Sequence, residues 1–143
     1  KRSGQRFGLL FIDLDGFKRI NDLYGHEAGD RVLRTVAARL SACIRISDTV
    51  GRIGGDEFTV ILGALTRYND AGQVAEKILL ALRCPITLPN GQKDSIGSSI
   101  GISVFPEDAD DGDGLLATAD DAMYEVKRSG KSNYRFYQNR EDI

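Results

Sequence analysis

The feature that most constrains the fold of this chain is the run Phe7 to Asp15, apolar or small from Phe7 to Ile12 and closed by two acids, Asp13 and Asp15. So short and apolar a run reads as a buried strand and is far too short to cross a bilayer. A buried strand needs neighbours for its backbone groups and layers over its faces, and the rest of the pattern supplies both. Asp30 to Arg45 sets Val32, Leu33, Val36, Leu40, Cys43 and Ile44 on one helical face. Thr49–Ile53 and Phe58–Leu62, joined across Gly54-Gly55, read as a hairpin in which glycine supplies backbone angles that other residues resist. Asp70 to Leu82 is a second amphipathic helix, through Val74, Ile78 and Leu82.

Asn90-Gly91 signals a two-residue hairpin turn leading into a strand from Ile96 to Val104. There Ile96, Ser98, Ile100, Ile102 and Val104 alternate with Gly97, Ser99, Gly101 and Ser103, so a neighbour is expected close against the small-residue face. A third helix, Leu115 to Arg128, ends before Gly130, and Asn133 to Tyr137 closes as a strand. The order β, α, β-hairpin, α, β-hairpin, α, β predicts an α+β fold: a mainly antiparallel central sheet flanked by helices.

With 143 residues, 41% hydrophobic and 28% charged, the chain suits one globular domain that buries roughly two thirds of its unfolded surface. Disordered and collagen-like classes are excluded. Nineteen basic against 21 acidic residues give a net charge of −2, so no global field favours nucleic acid. Phosphates, if handled, need a metal or a few local cations. Cys43 and Cys84 form neither a disulfide framework nor a zinc motif and are expected to be buried thiols in a reducing cytoplasm. The chain opens on Lys1, and residues 1–143 are expected to be one domain excised from a larger protein. Any membrane attachment would then come only through segments outside this stretch.

Chemistry gathers at two strand ends. Asp13 and Asp15 lie two apart and share a face, while Asp56 and Glu57 occupy the tip Gly54-Gly55-Asp56-Glu57-Phe58. Two like charges 4 Å apart repel by about 4 kcal/mol at an effective dielectric of 20, so converging carboxylates require cations or protons. Oxygen ligands at a strand end suit Mg²⁺, which holds one or two carboxylates and leaves room for phosphates. Asp-x-Asp alone, or Gly-Gly-Asp-Glu alone, is an ordinary solvated turn. Here Asp13-Leu14-Asp15-Gly16-Phe17-Lys18-Arg19-Ile20-Asn21-Asp22 is followed by Tyr24-Gly25-His26 and Gly29-Asp30, and the glycines and Lys18 offer N–H groups and a cation to a polyphosphate.

On these residues, with Arg52-Ile53-Gly54-Gly55-Asp56-Glu57-Phe58, Ser99-Ile100-Gly101 and Ala119-Asp120-Asp121-Ala122-Met123-Tyr124, the chain resembles the GGDEF family of diguanylate cyclases along nearly its whole length. The resemblance implies a palm-type nucleotidyl-cyclase fold and the condensation of two GTP into cyclic di-GMP and pyrophosphate, dependent on Mg²⁺ or Mn²⁺. It implies metal ligation by Asp13, Asp56 and the carbonyl of Leu14, and catalytic roles for Asp56, Glu57 and Lys18. Asn21 and Asp30 match guanine contacts, and a carboxylate accepting from N1–H and N2–H rejects adenine. Gly16, Phe17, Gly54, Gly55, Lys127 and Lys131 match substrate contacts around the phosphates. Asp15 remains open between supporting the metal ligands and holding structure.

Arg45-Ile46-Ser47-Asp48 resembles the family's inhibitory product site, where Arg45 grips phosphate and Asp48 a guanine edge; the plain alternative is a helix end and a turn. His26 resembles a packing or hydrogen-bonding histidine of the family, not a base. The acidic stretch from Glu107 to Gly114 fails the calcium-loop spacing and reads as a solvated loop. Each site would hold one GTP, so a transient homodimer is expected as the working unit of a cytoplasmic domain. The competing function is a GTP- or cyclic di-GMP-binding module that regulates an attached EAL-type phosphodiesterase, since the tail Asn133 to Tyr137 resembles members that continue into one.

Overall fold

In the computed structural model, which describes residues 5–138, the apolar run is β1 (Arg6–Asp15), the central strand of five. Its neighbours are β3 (Glu57–Leu65) and β6 (Gly97–Phe105), both antiparallel. β2 (Thr49–Gly54) pairs with β3, and β7 (Asn133–Phe136) runs parallel to β6, giving the order β2-β3-β1-β6-β7. The fold is α+β with a mainly antiparallel sheet, as the element order predicts. Lys1, on which the expectation of an excised fragment rests, lies outside the described residues.

Period-two alternation splits β1 between two layers. Leu10, Ile12 and Leu14 point into the larger core, with Val32, Val36 and Leu40 of α2 (His26–Cys43) and Ile78 and Leu82 of α3 (Asp70–Arg83). Leu9 and Phe11 meet Ala119 and Met123 of α4 (Gly112–Arg128) on the other face. The close neighbour expected on the small-residue face of β6 is α4. A Cβ at Gly101 would run into the helix backbone at Ala119 and Met123, and Ser103 Oγ donates to the Leu115 carbonyl at 2.7 Å.

Four local expectations are corrected. Phe17 to Tyr24 is itself a helix, α1, bounded by Gly16 (φ 79°) and Gly25 (φ 93°), whose left-handed backbone starts and stops it; α2 therefore begins at His26, not Asp30. Asn90-Gly91 closes a separate small ladder, β4 (Ile86–Thr87) with β5 (Lys93–Asp94), before β6 begins. Neither Gly54 nor Gly55 is left-handed, and the hairpin tip is reached through a register irregularity between Arg52 and Gly54. Cys43 is buried as expected but Cys84 is exposed, one residue past the end of α3.

The acidic stretch before α4 is partly structural. Asp111 accepts from the Gly114 N–H at 2.8 Å as the helix cap, and Asp108 accepts from the Tyr68 hydroxyl and the Val104 N–H, each at 2.8 Å. Among the described residues, no helix is long and apolar enough to cross a membrane.

Candidate active site

Antiparallel register decides where the acids go. β1 sets Asp13 opposite Glu57 on β3, and the Leu14 N–H donates to the Asp56 carbonyl at 3.2 Å, stitching the hairpin tip to the end of the central strand. Both ends of the sequence pattern thus arrive at one place. Burial pushes the Asp13 carboxyl up to about 6; Lys127 opposes the rise, while the charges of Asp56 and Glu57 add to it. Leu14 has its side chain buried, so anything it offers a ligand comes from its backbone.

Asp15, left open by the sequence, joins four elements of the fold. It accepts from Ser99 Oγ at 2.7 Å, Lys127 Nζ at 2.7 Å and the Ser132 N–H at 2.9 Å, tying β1 to β6, α4 and the turn into β7. Lys127 Nζ also lies 3.6 Å from Asp13 Oδ1, so one ammonium serves both acids. Beyond Gly130, Lys131 (φ 66°) and Ser132 (φ 50°) are both left-handed, a conformation that costs non-glycine residues roughly 1–2 kcal/mol each. The turn is held by Lys131 N–H on the Val126 carbonyl at 2.9 Å and by Asp15 on Ser132. Ser132 was not singled out in the sequence, since nothing in a serine announces a positive φ.

The hairpin tip is fixed from within. Arg52 donates through Nε (3.1 Å) and Nη2 (2.7 Å) to the Gly55 carbonyl. A Cβ at Gly55 would meet nothing within 4 Å and one at Gly54 only Glu57 Oε1 at 3.9 Å, so the pair leaves open ground beside the acids.

On the other flank, α1 begins at Gly16 and Phe17, where free N–H groups of a first turn suit phosphate. Lys18, in that turn, is highly exposed and donates to Asp22 at 3.0 Å, an i,i+4 pair that solvent weakens and a phosphate can displace. Asn21 lies against Gly29 of α2: a Cβ there would come within 3.0 Å of the Asn21 Cγ and 3.3 Å of the Phe17 ring. Gly29 thereby lets α1 and α2 close together, with Asp30 next to it and exposed. His26 is exposed at the start of α2, so of the packing and hydrogen-bonding roles expected for it the first is not met.

Arg45 and Asp48 lie at the far end of β2, away from the acids. The Asp48 side chain is almost completely buried and accepts from the Arg45 N–H at 3.0 Å, Arg45 Nη2 at 3.3 Å and the Gly63 N–H at 3.1 Å. Burial raises its carboxyl, but these donors together hold it below the usual range. Arg45 Nη2 also donates to the Gly63 carbonyl at 2.8 Å. Beside the pair is a cavity of about 370 Å³, reached by Thr66, Asp70, Gln73 and Lys77.

Two carboxylates and a strand carbonyl are hard oxygen donors that suit a divalent cation taking its other ligands from water and phosphate. The charges of Asp56 and Glu57, which add to the rise that burial gives Asp13, favour one. Among the described residues, no three acid, histidine or cysteine groups form a metal cage by themselves.

Comparison with known proteins identifies the family. The model of the family described as "Diguanylate cyclase, GGDEF domain" matches residues 1–133. The chain is 44% identical over 131 residues to the diguanylate cyclase TpbB of Pseudomonas aeruginosa, covering 92% of this chain and 30% of that protein. It is 41% identical over 137 residues to MucR of the same species, named a bifunctional diguanylate cyclase/cyclic di-GMP phosphodiesterase, covering 96% of this chain and 20% of MucR. The chain thus spans less than a third of the length of these relatives. The solved GGDEF domain of TpbB superposes with a TM-score of 0.92 at 43% identity, over 94% of this chain and 78% of that one. The GGDEF domain of DgcB from Caulobacter crescentus, solved with cyclic di-GMP, gives 0.85 at 26% identity over 94% and 79%.

Proposed function

The chain belongs to the GGDEF family of diguanylate cyclase domains, and from this we propose that it condenses two molecules of GTP into cyclic di-GMP with release of two pyrophosphates. The observation that carries the reading is the β1–β3 register, which sets Asp13 opposite Glu57 with Asp56 bonded to the Leu14 N–H. Asp13, Asp56 and the Leu14 carbonyl would hold Mg²⁺, or Mn²⁺ in its place. When bound there, the ion supplies charge neutralisation on the triphosphate and acidity to the attacking 3′-hydroxyl.

The residues do the rest. Gly16 and Phe17 offer N–H groups to the phosphates, and Lys18 exchanges Asp22 for them. Gly54 and Gly55 leave the triphosphate room beside the hairpin tip. Lys127 and Lys131 meet the phosphates, Lys127 giving up its bonds to the acids to do so. Asn21 and Asp30 accept from the guanine edge. The 3′-oxygen bonds to the α-phosphorus of the facing GTP while the bond from that phosphorus to the bridging oxygen breaks, and Glu57 receives the proton. Each subunit supplies one GTP, so two must face each other, transiently, for the ring to close. Arg45 and Asp48 are assigned to product inhibition, Arg45 releasing Gly63 for a phosphate and Asp48 meeting a guanine edge.

Likeness to the bifunctional MucR favours one second reading, a GTP- or cyclic di-GMP-binding module that regulates an attached phosphodiesterase. Incubation of the concentrated chain with GTP and Mg²⁺, followed by chromatography, separates the two. Cyclic di-GMP formed at the expense of GTP is the expected result. GTP bound and left unconsumed, also with the chain extended at its N-terminus, would overturn the cyclase in favour of the module.

A further inference from the structure

Among the clefts without a role in the assignments above, one borders α2. It lies between α2 and β2, holds about 350 Å³, and has a floor of Leu33, Ala37, Val50 and Phe58 under a rim that carries Arg34 and Arg52. An apolar floor beneath guanidinium groups is chemistry for a flat heteroaromatic ring with acceptor atoms on its edge. The two arginines differ. Arg52 is committed to the Gly55 carbonyl, whereas Arg34 is exposed and makes no hydrogen bond or ion pair among the described residues.

Arg34 stands four residues after Asp30 on α2, so the two share a helix face about 6 Å apart along the axis. A donor fork on the rim of the cleft and an acceptor one helical turn before it are thus presented on one face of α2. Guanine has the matching pattern. Its N1–H and N2–H donors suit a carboxylate, and its O6 and N7 acceptors suit a bidentate arginine. Adenine turns an amino donor toward the guanidinium where guanine turns O6, so the arginine discriminates on an edge that the acid does not read.

We propose that this cleft seats the purine of the nucleotide and that Arg34 is a second specificity-determining residue, donating to O6 and N7 while Asp30 and Asn21 accept from the other edge. The proposal rests on the reading of the site as one for GTP, and its test separates the two. Wild-type chain and Arg34→Met are titrated by calorimetry with GTP, 7-deaza-GTP, ITP and ATP, with Ca²⁺ in place of Mg²⁺ to hold turnover down. Methionine is a good helix former, and Arg34 is exposed, so α2 is retained; circular dichroism checks it.

The wild type is expected to prefer GTP over 7-deaza-GTP, which lacks the N7 acceptor, by about fivefold or more. Arg34→Met should lose about tenfold in GTP affinity and most of that preference, while keeping the preference for GTP over ITP, which lacks the N2 amino group. A wild type that prefers GTP to ITP but binds 7-deaza-GTP equally well, or a variant as discriminating as the wild type, overturns the role of Arg34 alone. A wild type indifferent among GTP, ITP and ATP overturns the GTP reading, and the proposal with it.

Discussion

Asp13 and Asp48 sit at opposite ends of the sheet, one at the end of β1 and one just before β2 begins, and their surroundings drive them in opposite directions. Asp13 is desolvated beside two further carboxylates, with one ammonium shared between it and Asp15, and its carboxyl rises to about 6. Asp48 is desolvated too, but two backbone N–H groups and a guanidinium meet it, and its carboxyl falls below the ordinary range. An acid fully answered by donors closes the fold locally. An acid left short of positive charge is a standing demand for a ligand. The comparison teaches that burial alone does not mark a functional carboxylate; the balance of partners does.

The largest effect should come from removing an acid on the demanding side. Asp56→Ala deletes a proposed ion ligand at the open hairpin tip, where no packed core depends on its side chain. Supporting groups around metal sites are each worth about 10–100-fold in affinity or activity, so a direct ligand should cost more than about 100-fold in cyclic di-GMP formation. Thermal stability should hardly change. A variant that retains a tenth of wild-type turnover would remove Asp56 from the chemistry and leave the two regions undistinguished.

On the satisfied side the same kind of deletion should act on stability. Asp48→Ala orphans the N–H groups of Arg45 and Gly63, at a cost of about 1–3 kcal/mol in urea-induced unfolding near neutral pH. The folded carboxyl is held below its unfolded value of 3.8, so its contribution is complete above about pH 4 and fades as the pH falls through the folded value. The gap between wild type and variant should therefore close in strong acid. A gap that is the same at pH 7 and at pH 2.5 would mean that the lost contacts are packing, not charge-assisted bonds.

Much of this contrast was legible in the sequence and some was not. β1, the signature hairpin, α3, α4 and β7 follow from apolar period and turn chemistry, and the convergence of Asp13 with Asp56 follows once β1 and β3 are antiparallel neighbours. The helix α1 was hidden because it is only eight residues long between two glycines, so its stripe of Phe17, Ile20 and Tyr24 spans two turns and no more. Asn90-Gly91 does mark a turn, but five residues separate the paired Thr87 and Lys93 where two were expected, and the ladder is two residues a side, too short to show in an alternation pattern. The state of Asp15 could not be read, since its three donors come from residues 84 to 117 positions away. The same holds for Asp48, whose bond from Gly63 spans 15 residues, and for the strained Lys131–Ser132 turn.

The smallest effect is the one that states the contrast most sharply, because its sign reverses. The raised value of Asp13 means that the folded chain binds a proton more tightly than the unfolded chain does. Ionised Asp13 therefore costs stability progressively as the pH climbs from about 4 to about 6, and the cost is complete above that. Asp13→Asn keeps the shape and removes the charge, while Lys127 keeps Asp15 at 2.7 Å. The variant should be more stable than the wild type at pH 7–8 by about 1 kcal/mol once solvent screening is allowed for, and equal to it below pH 4. Added Mg²⁺ should work the other way, raising the melting temperature of the wild type above pH 6 and leaving the variant nearly unmoved. If Asp13→Asn instead lowers stability at pH 7, the pull of Lys127 outweighs burial and the neighbouring acids, and Asp13 belongs with Asp48 among the carboxylates that hold the fold together.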